Sequence, residues 1–464
     1  MMANAAKDPL WRAKVSSELK LNPGFESIIE NKCTSCHAPA GNFNSNQVHD
    51  VEYRIQDLGS DEFGLDGVQC TVCHQIPMTD IGSNSAHFNF DLNHNIWGPF
   101  TNPVGMPMFN FTGYTPEYSS HIRSSQLYGT CHTLLTQAIL DDGTLSESFF
   151  VEQSVLQEWS NSVYPEQGTS CQDCHLPRIA GPIQMSNRPP SLAARDSLSQ
   201  HHFVGANLLL NTVFQQSGSS LGILADQQHL QNTEKRTREL LEQRSLDMDI
   251  QETWIDERNV SISVVLENKA GHKLPSGFPS RRMWLELKVE TADGDVIFHS
   301  GMEDEEGRII GEDEDFEPHY DIISQDDQVQ IYEIVMGDQH GQMTRELLRA
   351  VAPLKDNRLL PLGFKDSHIS YDTVRIVGEA LQDSDFQQMS ASAGFVCDTV
   401  TYNLELSGAY DALTITAAAH YQTLSNKWMM DFENIDTPEN KAIIDLLDRV
   451  ESKTVLIGSV TKTS

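Results

Sequence analysis

Apolar residues follow two different rhythms along the chain. In residues 1–205 they are sparse, and only short stretches have a helical spacing. Trp11 to Leu21 is one; Asn22-Pro23-Gly24 ends it, and a short helical turn follows. The rest of this half is rich in His, Asn, Gly and Pro. Ser217-Gly218-Ser219-Ser220 marks a break. Asp226 to Arg244 then reads as a polar helix capped by Asp226, with Leu230, Leu240 and Leu241 as its few apolar positions. Beyond it the period falls to two. Asn259 to Leu266 alternates, as do Met283 to Glu290, Asp295 to His299, Gln328 to Val335, Thr399 to Leu406, Leu413 to His420 and Lys453 to Ile457. Glu439 to Val450 is a helix between the last strands. Short strands separated by turns predict an antiparallel immunoglobulin-like β-sandwich. The expected class is α+β multidomain: a loop-rich, helical segment over 1–205, a linker with a helix over 206–248, and the sandwich over 249–464.

Length and composition bound the function. At about 100–200 residues per domain, 464 residues make two to four domains. With 39% hydrophobic and 21% charged residues the chain can bury a core. Lys and Arg total 32 against 66 Asp and Glu, a net charge of -34. That excludes a nucleic-acid binder, whose affinity comes from cations on phosphates, and a surface that docks on anionic lipid. No run approaches the roughly 18 apolar residues of a membrane span.

The cysteines bring in chemistry. Six of the eight form three copies of one pattern: Cys33-Thr34-Ser35-Cys36-His37, Cys70-Thr71-Val72-Cys73-His74 and Cys171-Gln172-Asp173-Cys174-His175. C-x-x-C-H is the attachment motif for c-type haem. Two thiols at this spacing add to the two vinyl groups on one porphyrin edge, and the adjacent His reaches the iron. A zinc site does not need His beside the second Cys, and a redox dithiol occurs once rather than three times. A degenerate fourth copy reads Tyr128-Gly129-Thr130-Cys131-His132. It predicts a fourth haem c held by one thioether from Cys131, with His132 on the iron and Tyr128 on the vacant vinyl side. Two alternatives stand beside it: a relic Cys-His pair, and a disulfide from Cys131 to Cys397, the remaining cysteine.

Four proximal histidines leave the other face of each iron to be assigned. The candidates are His121, just before the fourth motif; His201 and His202, after the third; His87 and His94, in the loop after the second; His49, after the first; and His272. Met106 and Met108 offer thioether ligands, but core filling is the favoured reading. His272 lies in Gly271-His272-Lys273-Leu274-Pro275-Ser276-Gly277-Phe278-Pro279-Ser280-Arg281-Arg282. This loop is read as facing the haem segment, with Arg281 and Arg282 as partners of haem propionates; a rigid surface turn is the alternative. The acidic tracts Glu303 to Glu306 and Glu312 to Asp315 lack the order of an EF-hand and read as solvated loops rather than a calcium site.

On these motifs the chain resembles bacterial multihaem cytochromes c of the cytochrome c-554-like type that carry a C-terminal β-sandwich. The matching stretches are Asp66 to Ile76, Trp97 to Phe100, His121 to His132, Glu158 to Ser162 with Ser170 to Pro177, and His201 to Asn207. In the second half they are Gly271 to Trp284, Gln328 to Glu333 and Lys355 to Pro361. The resemblance implies an exported electron-transfer protein of a respiratory chain. Its usual third motif has Cys where this chain has Tyr128, so the attachment, spin state and potential of that haem do not carry over.

The leading expectation is an electron carrier, periplasmic or extracellular, whose acidic surface steers a redox partner with a basic docking patch. Met1 to Ala6 lacks the basic and apolar regions of a signal peptide, so the sequence reads as a mature chain. A second expectation is a reductase or oxidase of a small nitrogen or sulfur species at an open-coordinate haem. A third is a subunit of an electron-conducting homo-oligomer or larger assembly.

Overall fold

The computed structural model describes the chain except for residues 189, 191, 387–397 and 411. The second half is built on two sheets. The path of the larger runs Met343–Thr344, Ile331–Gly337, Arg282–Thr291, Leu413–Gln422, Thr454–Thr463. Val296–Ser300 and Ala352–Asp356 pair onto the 282–291 and 331–337 strands. The smaller runs Ile322–Ile323, Asp398–Glu405, Asn259–Asn268, Leu246–Trp254. Pairing is antiparallel except between 322–323 and 398–405.

The period-two pattern explains these sheets. Along Asn259–Asn268 the residues Val260, Ile262, Val264 and Leu266 are buried and those between them half-buried. Met283, Leu285, Leu287 and Val289 of the larger sheet enter the same core, so the two sheets bury one another's apolar faces. A slip of one residue would turn each set to solvent, which pins the register.

Both sheets carry more strands than the alternation predicted. Leu246–Trp254 is an edge strand at the end of the expected linker, so the sheet begins before residue 249. Ala352–Asp356 was missed because its buried members include Lys355 and Asp356, which break an apolar pattern.

The first half consists of short helices and three two-stranded pairings, among them the hairpins Thr133–Ile139 with Leu145–Ser154 and Arg178–Ile183 with Arg195–Ser199. Its apolar cluster is small, centred on Trp11, Val15, Ile29, Tyr53 and Leu58, and takes in Leu348 of the second half. A further cluster is shared with the second half. Ala13 and Phe150 enter one cluster with Leu209, Phe214, Met336, Trp428, Ile443 and Leu447. Helix Pro9–Leu21, capped by Asp8, is tied across by Lys14 Nζ to the Arg345 carbonyl at 2.8 Å and by Ser17 with Asn440. The two halves thus share a core on both sides of residue 205. Among the described residues no helix is long and apolar enough to cross a membrane.

Candidate haem-binding site

Each full motif lies on a helix: Glu26–His37, Cys70–Gln75 and Cys171–His175. A helix places residues three apart on one face, so the two thiols of each motif point the same way. The third is fixed at its start by Ser170 and Asp173, which cap each other's backbone.

The three motif histidines share one hydrogen-bond pattern. Nδ1 of His37 meets the Ala5 carbonyl at 3.2 Å, Nδ1 of His74 the Trp97 carbonyl at 2.5 Å, and Nδ1 of His175 the Val204 carbonyl at 2.8 Å. A carbonyl only accepts, so each Nδ1 carries the hydrogen and each Nε2 keeps its lone pair. This tautomer suits metal ligation through Nε2, with the ring oriented from behind. The Trp11 ring also stacks on His37, centres 4.5 Å apart and 6° between planes. Burial holds His37 down to about 4 and lowers His175, so both are neutral at pH 7.

Two of these rings face another histidine. His201 lies 6.3 Å from His74 between ring centres, and His272 lies 6.5 Å from His175. An imidazole nitrogen is about 1.1 Å from its ring centre and about 2.0 Å from a ligated metal, so two rings on opposite sides of one ion are roughly 6.2 Å apart. Both pairs match that spacing. His272 Nδ1 donates to the Lys273 carbonyl at 3.0 Å, which again leaves Nε2 free.

The other histidines are placed differently. His121 is buried, with Nε2 donating to the Ile76 carbonyl at 3.0 Å and Nδ1 accepting from Ser119 at 2.6 Å, so neither nitrogen is open. His202 stands under the influence of Arg236 and Glu239 on helix Gln227–Arg244, and its Nε2 is buried without a hydrogen-bond partner. His87 is exposed and bonded to the Asn84 carbonyl, His94 faces Tyr114, and His49 is exposed. Met106 and Met108 lie exposed on helix Gly105–Thr112, which buries no residue, so they do not fill a core.

The degenerate motif ends helix Ser125–His132. It sits where the other three meet. The Cys131 thiol hydrogen-bonds with Cys36 and feels Cys73; the Tyr128 phenol, raised first by burial, feels Cys73 and Cys171. His132, lowered to about 4 mainly by burial, feels His175, Arg281 and His272. Gly129 permits this packing: a Cβ there would stand 2.1 Å from Leu156 Cδ2. Cys397, the alternative partner of Cys131, lies outside the described residues.

The 271–282 loop reaches the haem segment. Lys273 is fully buried and pairs with Asp356 at 2.8 Å; Asp356 also pairs with Arg358, and Arg358 pairs with Glu158 at 3.0 Å. Glu158, on helix Val155–Ser160, accepts from the Lys273 amide at 3.2 Å and so closes the circuit. Unpaired, these charges would be costly to bury; together they clamp the loop and aim His272. Nothing local in the sequence marks these four charges, far apart along the chain, as partners. Arg281, held by the Ser276 carbonyl at 2.6 Å, lies near His132. Arg282 corrects the expectation: it is buried in the second half, bonded to Gln422 and Glu312, and is committed there rather than to a propionate.

No protein-family model matches the chain, and no curated protein matches it. Among solved structures it is similar to a penta-heme cytochrome c552 from Thermochromatium tepidum, with a TM-score of 0.50 and 15% identity, over 93% of this chain and 83% of that one. At this identity the likeness concerns the fold. The likeness is that the two chains share a fold, not that they share a role.

Proposed function

We propose that the chain is an exported c-type cytochrome that carries electrons through three haems on its full motifs and a fourth held by Cys131. The observation that carries the reading is the two pairs of neighbouring imidazoles, His74 with His201 and His175 with His272, at the spacing that two ligands of one iron would have. Haem c supplies one-electron redox chemistry when bound. With haem c bound, these four imidazoles would hold its irons; Nδ1 bonds fix the rings of His74, His175 and His272 from behind, and burial lowers His175. Irons held in that way would leave no position for a substrate. The net charge of -34 favours the oxidised, more positive form and steers a redox partner with a basic patch.

A second reading, reduction or oxidation of a small nitrogen or sulfur species, draws on one observation. Among the described residues no imidazole faces His132 as His201 faces His74, while Arg281 lies near it. Electron paramagnetic resonance of the oxidised holoprotein tests both readings. Low-spin signals throughout and no binding of carbon monoxide or nitrite support the carrier. A high-spin iron that binds nitrite supports the second reading.

A further inference from the structure

Far along the chain from the haem motifs, the second half gathers four carboxylates. Asp321 precedes strand Ile322–Ile323, Asp383 and Asp385 follow the turn Glu379–Leu381, and Asp398 opens strand Asp398–Glu405. Oxygens of Asp321, Asp383 and Asp385 lie within 4.8 Å of one another; Asp383 and Asp398 form a second such group with His319. Asp383 is common to both. Asp321 is exposed, Asp385 half-buried, and Asp383 and Asp398 buried. Among the described residues no Lys or Arg forms an ion pair with any of the four, and His319 is their one basic neighbour.

His319 does not offer a nitrogen to a metal. Its Nδ1 accepts from Gln330 Nε2 at 2.8 Å and from Asn357 Nδ2 at 3.1 Å. Both amides are held that way round, because Gln330 Oε1 accepts from the Tyr320 amide and Asn357 Oδ1 from the Glu333 amide. Nδ1 is therefore an acceptor, and Nε2 carries the hydrogen that it donates to Asp383 at 3.0 Å. The available donors are carboxylate oxygens alone, and a hard cation suits them.

Asp398 supplies an independent pointer. The residue is wholly buried, and one oxygen accepts from the Tyr332 hydroxyl at 2.5 Å. The other, Oδ1, is buried with no hydrogen-bond partner. A buried carboxylate oxygen left bare is costly, and a cation would satisfy it.

We propose that Asp321, Asp383, Asp385 and Asp398 form a calcium site in the second half of the chain. It stands apart from the acidic tracts, where Glu312 pairs with Arg282 and Lys427 and Asp304 with Arg308. It does not depend on the haem reading.

The test is calorimetric titration of chelator-treated holoprotein with calcium chloride, together with its melting temperature. The expected result is one calcium per chain and a melting temperature that rises with calcium. Asp321→Asn, at an exposed position, and Asp385→Asn should each weaken binding about tenfold or more while leaving the haem spectrum unchanged. Two results would overturn the proposal. One is no binding, with an infrared band of protonated carboxyl that shrinks in Asp385→Asn; the cluster then holds protons in place of a metal. The other is calcium binding that both variants leave intact, which puts the ion elsewhere.

Discussion

His272 of the second half faces His175 of the first, ring centres 6.5 Å apart and planes 13° from parallel. The third motif, Cys171 to His175, lies wholly in the first half, so a residue of the two-sheet body stands against it.

Removing either opposing ring should open one iron. His272→Ala and His201→Ala are each expected to convert one haem per chain from low to high spin and let it bind carbon monoxide. His202→Ala should leave the spectrum unchanged, because the charged groups that act on His202 are Arg236 and Glu239 of helix 227–244, whereas the ring beside His74 is that of His201. Carbon monoxide titration of the reduced protein checks this. If His202→Ala alone opens an iron, the pairing of His74 with His201 is wrong.

The charged clamp should be expensive to break. Asp356→Asn leaves Lys273 buried without its counter-charge, at a cost of about 3–5 kcal/mol. Denaturant unfolding measures the loss. Resonance signals of the third-motif haem should broaden with it, since the same loop aims His272. Arg358 and Lys273 hold the Asp356 carboxyl below its usual range, against burial. The folded value is depressed, so this stabilisation is present above the ordinary carboxylate pKa of about 3.9 and is lost as pH falls through the folded value.

Glu152 should couple a proton to the first motif. Burial pushes its carboxyl up to about 7, with Glu18 adding and Thr136, Lys32 and Lys14 opposing. Its charge acts on Cys33 and Cys36. Ionisation near pH 7 therefore favours the oxidised haem, and that potential should fall with rising pH, by at most about 59 mV per unit. Glu152→Gln should flatten the slope in a redox titration. The folded pKa lies above the unfolded value of about 4.3, so the stability held below pH 4 declines as pH rises toward 7 in the parent. It should not decline in the variant.

The intact mass of denatured holoprotein should show four covalent haems, and three in Cys131→Ala. Three in the parent would make the fourth motif a relic or a site without a thioether.

Much of this arrangement was legible in sequence, for identifiable reasons. The three motifs are local, so their spacing alone fixes the helical turn that presents both thiols. Strand Asn259–Asn268 alternates because one face is buried. The 271–282 loop combines Gly, Pro and cations, which pointed it toward the first half, although a rigid surface turn has the same composition. What escaped depended on distance. Nothing near His201 or His202 tells which ring turns toward His74, and nothing near His121 reveals that Ile76 and Ser119 occupy its nitrogens. Arg282 looked like its neighbour Arg281, but Arg282 opens strand Arg282–Thr291 and is bonded within the second half, whereas Arg281 precedes the strand and lies near His132. Asp321, Asp383, Asp385 and Asp398 come together only after the sheets form.

The place of His272 in chain order also bears on biogenesis. A chain emerges from its N-terminus, so the Cys171 and Cys174 thiols and His175 are made before His272 and well before Asp356 and Arg358, which hold its loop. Attachment at the third motif can therefore run ahead of complete ligation. A nascent or truncated chain ending before residue 272 would carry that haem with a single histidine, reactive toward small ligands. Synthesis of the second half would then quench that reactivity, as a maturation step encoded in the order of the residues.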